Sequence, residues 1–224
     1  MIVLGIDAAS TACSAAVLAD GNIAAERFAA MERGQAEALV PMIAETLRAA
    51  GITPAALGAV AVTVGPGAFT GVRIGLAAAR GLAIAANLPC IGVTTFEAVI
   101  ERVAAGASRG EILVAAIESK REEVFLQPFD ATRMPLGEPF AAAPEDAGRA
   151  LPEGDLVVVG DAAGRLVAGL RRPARVSPVS GPPRAACVAA VAARRVHAGN
   201  TGVLPRPFYL RPPDARPMMD AVKK

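Results

Sequence analysis

Gly65-Pro66-Gly67-Ala68-Phe69-Thr70-Gly71-Val72-Arg73-Ile74-Gly75 joins a β-type run, Ala59-Val60-Ala61-Val62-Thr63-Val64, to an alanine-rich helical segment. Gly65 and Gly67 permit positive φ or close backbone approach, and Pro66 stiffens the turn between them. Thr70 is positioned to cap the helix. Gly71 and Gly75 fall on one helical face, where a missing Cβ lets another element come close. Three readings follow from this spacing. It is a tight strand-to-helix turn built for packing, a phosphate-binding loop at a helix start, or part of a protein interface.

Working outward from this turn, the chain alternates strands and helices. Ile2–Ile6 is a short apolar strand ending at Asp7. Ala12–Ala19 is a second, and Asp20-Gly21 signals a hairpin into a third strand, Asn22–Ala29. Residues 35–50 have helical spacing, with Leu39, Ile43 and Leu47 on one stripe and Ala38 and Met42 beside it. Pro41 lies within that stretch, so the helix either begins near it or tolerates it. Residues 70–86 form a helix and Cys90–Val93 a strand. Thr94-x-x-Glu97 is a capping box that opens a helix to about Ala104.

After a linker at Gly106–Gly110 the order begins again. Strands are predicted over 112–117 and 123–129, a third near Phe140, a short helix after Pro144, a strand over 156–159 and a helix over 185–197. Two halves, each opening with antiparallel strands and then alternating helices and strands, predict an α/β protein made of a duplicated ribonuclease-H-like unit. The expected lobes are residues 1–106 and 107–203. A Pro-rich tail, 204–224, is expected to run extended and pack back on the first lobe.

The 224 residues are 53% hydrophobic but only 4% aromatic, so the core is built from Ala, Val, Leu and Ile. Cys13, Cys90 and Cys187 are odd in number and widely spaced, which fits small core residues in a reducing compartment rather than a disulfide framework. The Met1 end lacks a basic start, and prolines and glycines break the longest uncharged stretch, Ala49 to Val72. No secretory signal and no membrane span are expected, and the expected compartment is the cytoplasm. The net charge of +2 hides an asymmetry: residues 1–148 hold 10 Lys+Arg against 16 Asp+Glu, and residues 149–216 hold 11 against 4. The basic stretch reads as a surface for RNA or for an acidic partner.

The glycine stretch, with Ile6-Asp7-Ala8-Ala9-Ser10-Thr11 upstream and Pro207-Phe208-Tyr209-Leu210-Arg211 near the end, resembles the bacterial TsaB (YeaZ) family, also labelled glycoprotease-like. The resemblance runs through most of residues 2–104, is patchy over 111–200 and returns at 205–211. It implies an actin-like fold of two related lobes, of the sugar-kinase and Hsp70 type. It also implies a role as a non-catalytic subunit in forming N6-threonylcarbamoyladenosine in tRNA. The implied partners are a catalytic TsaD-like paralogue, a TsaE-like ATPase and, when the paralogue is absent, a second copy of the chain. tRNA is met indirectly or through the basic 149–216 region. No cofactor of its own is implied; ATP or ADP belongs to the complex, and the metal to the partner. The family pairs through the helices at 35–50 and 70–86, which makes Leu39, Ile43, Leu47, Gly71, Arg73, Gly75, Ala78 and Arg80 the expected interface. On that basis Gly75→Arg or Leu47→Asp is expected to abolish pairing while leaving the chain folded.

The residues themselves argue against several chemistries. His197 is the sole histidine and sits near the end of a predicted helix. TsaD carries an Asn-His-x-Glu-x-His pattern after its corresponding strand; here Thr95 and Val99 occupy the two histidine positions, and neither side chain offers an imidazole nitrogen. A serine or cysteine nucleophile lacks a neighbouring base. Nucleotide binding is harder to dismiss. Asp7, Ser10 and Thr11 sit at the first strand turn, where actin-like ATPases gather an acid and hydroxyls around Mg²⁺ and phosphate. Glu118, within Ile117-Glu118-Ser119-Lys120-Arg121, replaces the family's Asp in the second lobe. Gly160-Asp161 stands where an adenosine-binding glycine pair would fall. The simpler reading is that Asp7 caps backbone amides and Ser10 and Thr11 make a turn. The competing function is therefore a stand-alone kinase or ATPase of the actin-like fold using Asp7 and Glu118, with phosphate release that Asp7→Ala removes.

Overall fold

Apolar runs free of proline carry the chain through three antiparallel strands, β1 (Ile2–Ser10), β2 (Ala12–Ala19) and β3 (Asn22–Ala30). The computed structural model describes residues 1–106, 110–201 and 204–211. Asp20 (φ 48°) and Gly21 (φ 85°) make the expected tight β2–β3 turn. The chain then forms helix α1 (Gln35–Ala50), strand β4 (Ala59–Thr63), helix α2 (Phe69–Ala86), strand β5 (Cys90–Val93) and helix α3 (Thr95–Ile100). Strand β4 lies parallel to β1, with Ile6 opposite Val62, and β5 lies parallel to β4. Pro41 is tolerated inside α1, where it is exposed. The Thr94–Glu97 capping box is present in full.

The second half repeats this plan with strands β6 (Ile112–Glu118), β7 (Val124–Phe129), β8 (Phe140–Ala142), β9 (Leu156–Val159) and β10 (Ala174–Val176). Its helices are α4 (Pro144–Ala147), α5 (Ala163–Gly169) and α6 (Ala185–His197). The first sheet has the order β3-β2-β1-β4-β5 and the second β8-β7-β6-β9-β10, strand for strand the same arrangement. In each, the first strand pairs antiparallel with its hairpin partner and parallel with the strand that follows the crossover. This is the duplicated ribonuclease-H-like, two-lobed α/β fold. Sequence reading missed β10 and α5, which are short and flanked by Arg171, Arg172 and Pro173.

Packing departs from sequence order at the lobe boundary. Val188, Ala189 and Ala192 of α6 pack with Val3, Ala61 and Ile91 of the first sheet. Conversely, Phe96, Val99 and Ile100 of α3 join Leu113, Ile117 and Val157 of the second. Each half thus lends one helix to the other's sheet, and the division at residue 106 cuts across both cores. Element order alone cannot reveal such an exchange, because an apolar helix face fits either sheet.

On its other face the first sheet carries α1 and α2, with Leu39, Ile43, Leu47, Val72, Leu76 and Ala79 in one core. Coverage on both faces explains why β1 and β2 are buried almost throughout. Among the described residues, α2 is the one helix long and apolar enough to cross a membrane. Its Val72, Leu76, Ala79 and Ala83 are buried against the sheet, as in a core helix.

The charge asymmetry is resolved inside the molecule. Arg165, Arg175, Arg184, Arg194 and Arg211 pair with Glu118, Glu111, Glu26, Glu101 and Glu123 at 2.6–2.8 Å, and Arg195 pairs with Glu97. Basic residues of the second half thus neutralise acidic residues numbered below 149. Half-exposed pairs of this kind contribute about 0–1 kcal/mol each. They matter here because much of the basic stretch is engaged by the chain's own glutamates, although Arg175 and Arg194 remain more than half exposed.

Candidate functional site

The glycine turn is built for packing. A Cβ on Gly71 would lie 1.9 Å from the Ala8 carbonyl oxygen, and one on Gly67 2.1 Å from that of Ala9. The Ala68 amide donates to the same Ala9 oxygen at 2.7 Å. Gly65, at φ 107°, faces the Phe208 carbonyl. The loop therefore seats the β1–β2 turn on one side and the tail on the other. Thr70 is not the cap: the N-cap position is Ala68, with no side-chain hydrogen bond.

Between the β1–β2 turn, the start of α2 and the β6–β7 hairpin lies a cleft of ≈ 620 Å³, with Ser10, Gln35, Phe69, Glu118, Lys120 and Arg211 among its lining residues. Ser10 is buried, and its Oγ has no partner. Glu118 accepts hydrogen bonds from the Lys120 amide at 2.8 Å and from Arg165 Nη1 at 2.7 Å. Asp7 is fully buried behind this lining. Its Oδ1 accepts from Thr63 Oγ1 at 2.6 Å and from the Ala9 amide at 3.2 Å, while its Oδ2 has no partner. Burial pushes its pKa up to about 7 against the pull of those two bonds, with Asp161 adding a smaller upward push. Asp161 is itself raised, chiefly by burial, although its Oδ1 accepts the Glu118 amide. Thr11 is exposed and takes part through its carbonyl, which accepts the Met31 amide at 3.0 Å.

Of the four nucleotide-site residues read from sequence, Ser10 and Glu118 therefore meet at the cleft. Asp7 sits beneath it as a carboxyl favouring its proton, and Thr11 serves the turn. The Asp7 Oδ1 bonds match the amide-capping alternative. Gly160 is a packing glycine too: its Cβ would meet the Ala116 carbonyl at 2.0 Å. Among the described residues, no group of three or more His, Cys, Asp or Glu is placed to hold a metal ion. Thr95 and Val99 are both fully buried.

The structure buries five of the eight interface residues expected from sequence against the chain's own sheet. Leu39, Ile43 and Leu47 are buried at 0%, 3% and 7% exposure, inside the first core. Gly71 and Gly75 are buried against Ala8 and Val62, so their notches admit the chain's own sheet. Ala78 is partly buried against that core. Arg73 donates to Tyr209 Oη at 2.9 Å and lies 3.6 Å from the Phe69 ring centroid, and Arg80 donates to the Pro205 carbonyl. Arg73 is exposed, and the apolar residues facing outward on these adjacent helices include Val40 (62% exposed), Ala44, Ala77, Gly81 and Ile84 (74%). Their i, i+4 spacing was legible, but a helix apolar all round does not say which side meets the sheet.

These features define a two-lobed α/β protein of the actin-like class, with Glu118 tied by Arg165 at its cleft and Asp7 buried. A family model described as TsaD, tRNA N6-adenosine threonylcarbamoyltransferase, matches residues 28–143. The Escherichia coli tRNA threonylcarbamoyladenosine biosynthesis protein TsaB is 39% identical over 127 residues, 56% of this chain and 53% of that protein. The matched region thus spans about half the length of that relative. An uncharacterized protein of Mycobacterium tuberculosis is 34% identical over 223 residues, 96% of this chain and 94% of its own. Among solved structures, YeaZ from Pseudomonas aeruginosa superposes with a TM-score of 0.80 at 27% identity, covering 93% of this chain and 99% of that one. The activator of 2-hydroxyisocaproyl-CoA dehydratase from Clostridium difficile has a TM-score of 0.55 at 11% identity, over 91% and 98% of the two chains, a likeness of fold alone. The chain belongs to the TsaB (YeaZ) family.

Proposed function

We propose that this chain is a non-catalytic subunit of the machinery that forms N6-threonylcarbamoyladenosine in tRNA. It docks a TsaD-like catalytic paralogue through the outward faces of α1 and α2, and a TsaE-like ATPase joins the pair. The observation that carries this reading is the apolar flank of Val40, Ala44, Ala77, Gly81 and Ile84. Exposed apolar side chains on two neighbouring helices favour a protein neighbour, and three small residues among them, Ala44, Ala77 and Gly81, let its backbone approach. Support for the non-catalytic part comes from Thr95 and Val99, buried where the catalytic paralogue has its two histidines. The metal, the transfer chemistry and the tRNA contact fall to the partner, and a cytoplasmic site of action follows from the tRNA substrate.

A stand-alone ATPase of the same fold is the weaker reading. Its acid, Asp7, is buried and resists ionisation up to about pH 7, and Glu118 is held by Arg165. A phosphate-bound cation would have to compete with the Asp7 proton and with Arg165 for Glu118 Oε1.

The corrected flank changes the mutational test. Val40→Asp and Ile84→Asp are expected to weaken pairing with the paralogue by about 30-fold or more, as loss of a 2 kcal/mol interface contact would. Thermal unfolding should stay near that of the parent, because both side chains already face solvent. Leu47→Asp and Gly75→Arg, by contrast, place a charge in the core and should unfold the chain. Co-elution of both flank variants at parental strength would refute this docking face.

A further inference from the structure

We propose that residues 205–211 are a tie that sets the width of the inter-lobe cleft, so that the chain's own tail, rather than a bound ligand, fixes the angle between the lobes. The segment begins against the first lobe. Arg80 holds the Pro205 carbonyl, and the Pro205 ring packs on Gly92, where a Cβ would come within 2.9 Å. It then crosses the end of β4. The Phe208 amide donates to the Val64 carbonyl at 2.7 Å, and the Phe208 carbonyl lies over Gly65. Tyr209 stacks on Phe69 at a centroid distance of 5.4 Å and accepts from Arg73.

From there the segment reaches the second lobe. The Phe208 side chain packs against the cores of both lobes, and Leu210 against that of the second. Arg211 pairs with Glu123 at 2.7 Å beside the β6–β7 hairpin, and both residues line the cleft. The tie is thus anchored on α2 and β4 at one end and on the hairpin at the other, at the mouth of the opening. Helices α3 and α6 also join the lobes, but no residue of either lines the cleft. Their exchange forms the hinge side and the tail closes the front. Two-lobed proteins that change shape do so by rotation about such a hinge, and a front anchor removes that freedom.

The test is made on the full chain without partners. Spin labels are placed at Ala36→Cys on α1 and Glu122→Cys on the β6–β7 hairpin, both exposed and on opposite sides of the cleft, in a Cys187→Ser background. The parent should give one narrow distance distribution. Phe208→Ala and, independently, Arg211→Glu, which sets two like charges together at Glu123, should broaden it about twofold or more, as release of a hinge does. Circular dichroism identifies any variant that fails to fold; if Phe208→Ala does so, Arg211→Glu decides alone. A distribution as narrow as the parent's in a folded Arg211→Glu variant overturns the proposal.

Discussion

Asp7→Asn is expected to stabilise the protein at pH 8 by on the order of 2–4 kcal/mol and to change it little at pH 4. Asp7 is fully buried, with one carboxyl oxygen unpartnered, and burial raises its pKa from 3.8 to about 7. The native state therefore favours the protonated acid. Below the unfolded value both states hold the proton, and the native environment is fully tolerated. As pH rises the unfolded chain ionises first, so stability falls until the native group also titrates near pH 7. Asparagine keeps an oxygen for Thr63 and the Ala9 amide and does not titrate. Denaturant unfolding at pH 4, 6 and 8 measures the difference. A loss of stability that is equal at all three values would show that the carboxylate is tolerated in its pocket. Asp161→Asn should follow the same trend, since its pKa is raised for the same leading reason. The pair should be less than additive because each carboxylate raises the other's cost of ionising.

Gly71→Ala is expected to destabilise the chain by about 3 kcal/mol or more, a size reserved for substitutions with a definite steric cause. A new methyl group would sit 1.9 Å from a backbone oxygen of β1, so helix α2 must lift off its sheet. Gly81→Ala, one helical face away, has nothing within 4 Å of the added carbon. There the gain in helix propensity should appear unopposed, about 0.5–1 kcal/mol in favour of alanine. Opposite signs for two Gly→Ala changes in one helix would separate the packing role of the glycine turn from ligand binding. Equal, small effects would contradict the close approach to β1.

The duplicated fold was legible because its signals are local. Asp20-Gly21, the alternating apolar runs and the Thr94–Glu97 box each act within a few residues, and the repeated order of strands then implied two like lobes. The missing histidines at positions 95 and 99 were equally local. The exchange of α3 and α6 was not legible, since it depends on which sheet an apolar face meets. The same gap hid which helix faces are buried. Leu39, Ile43 and Leu47 form the most regular stripe on α1 because they face the chain's own core, whereas Val40 breaks that pattern and, like Ile84 on α2, remains outside. The surroundings of the basic stretch 149–216 were hidden for a related reason: composition records charge, but not the glutamates that fold beside Arg184, Arg194 and Arg211. At the cleft, sequence named Asp7, Ser10 and Glu118, but only burial and hydrogen bonding distinguish a free carboxylate from a tied one.

Threonylcarbamoyl transfer to tRNA adenosine, measured with this chain alone, with its TsaD-like paralogue and TsaE-like ATPase alone, and with all three together, tests the assignment most directly. Product is expected from the full set, none from this chain alone, and a loss approaching that of omitting the chain when Ile84→Asp replaces it. Transfer by the purified chain without companions, or undiminished transfer when it is left out, would contradict the account.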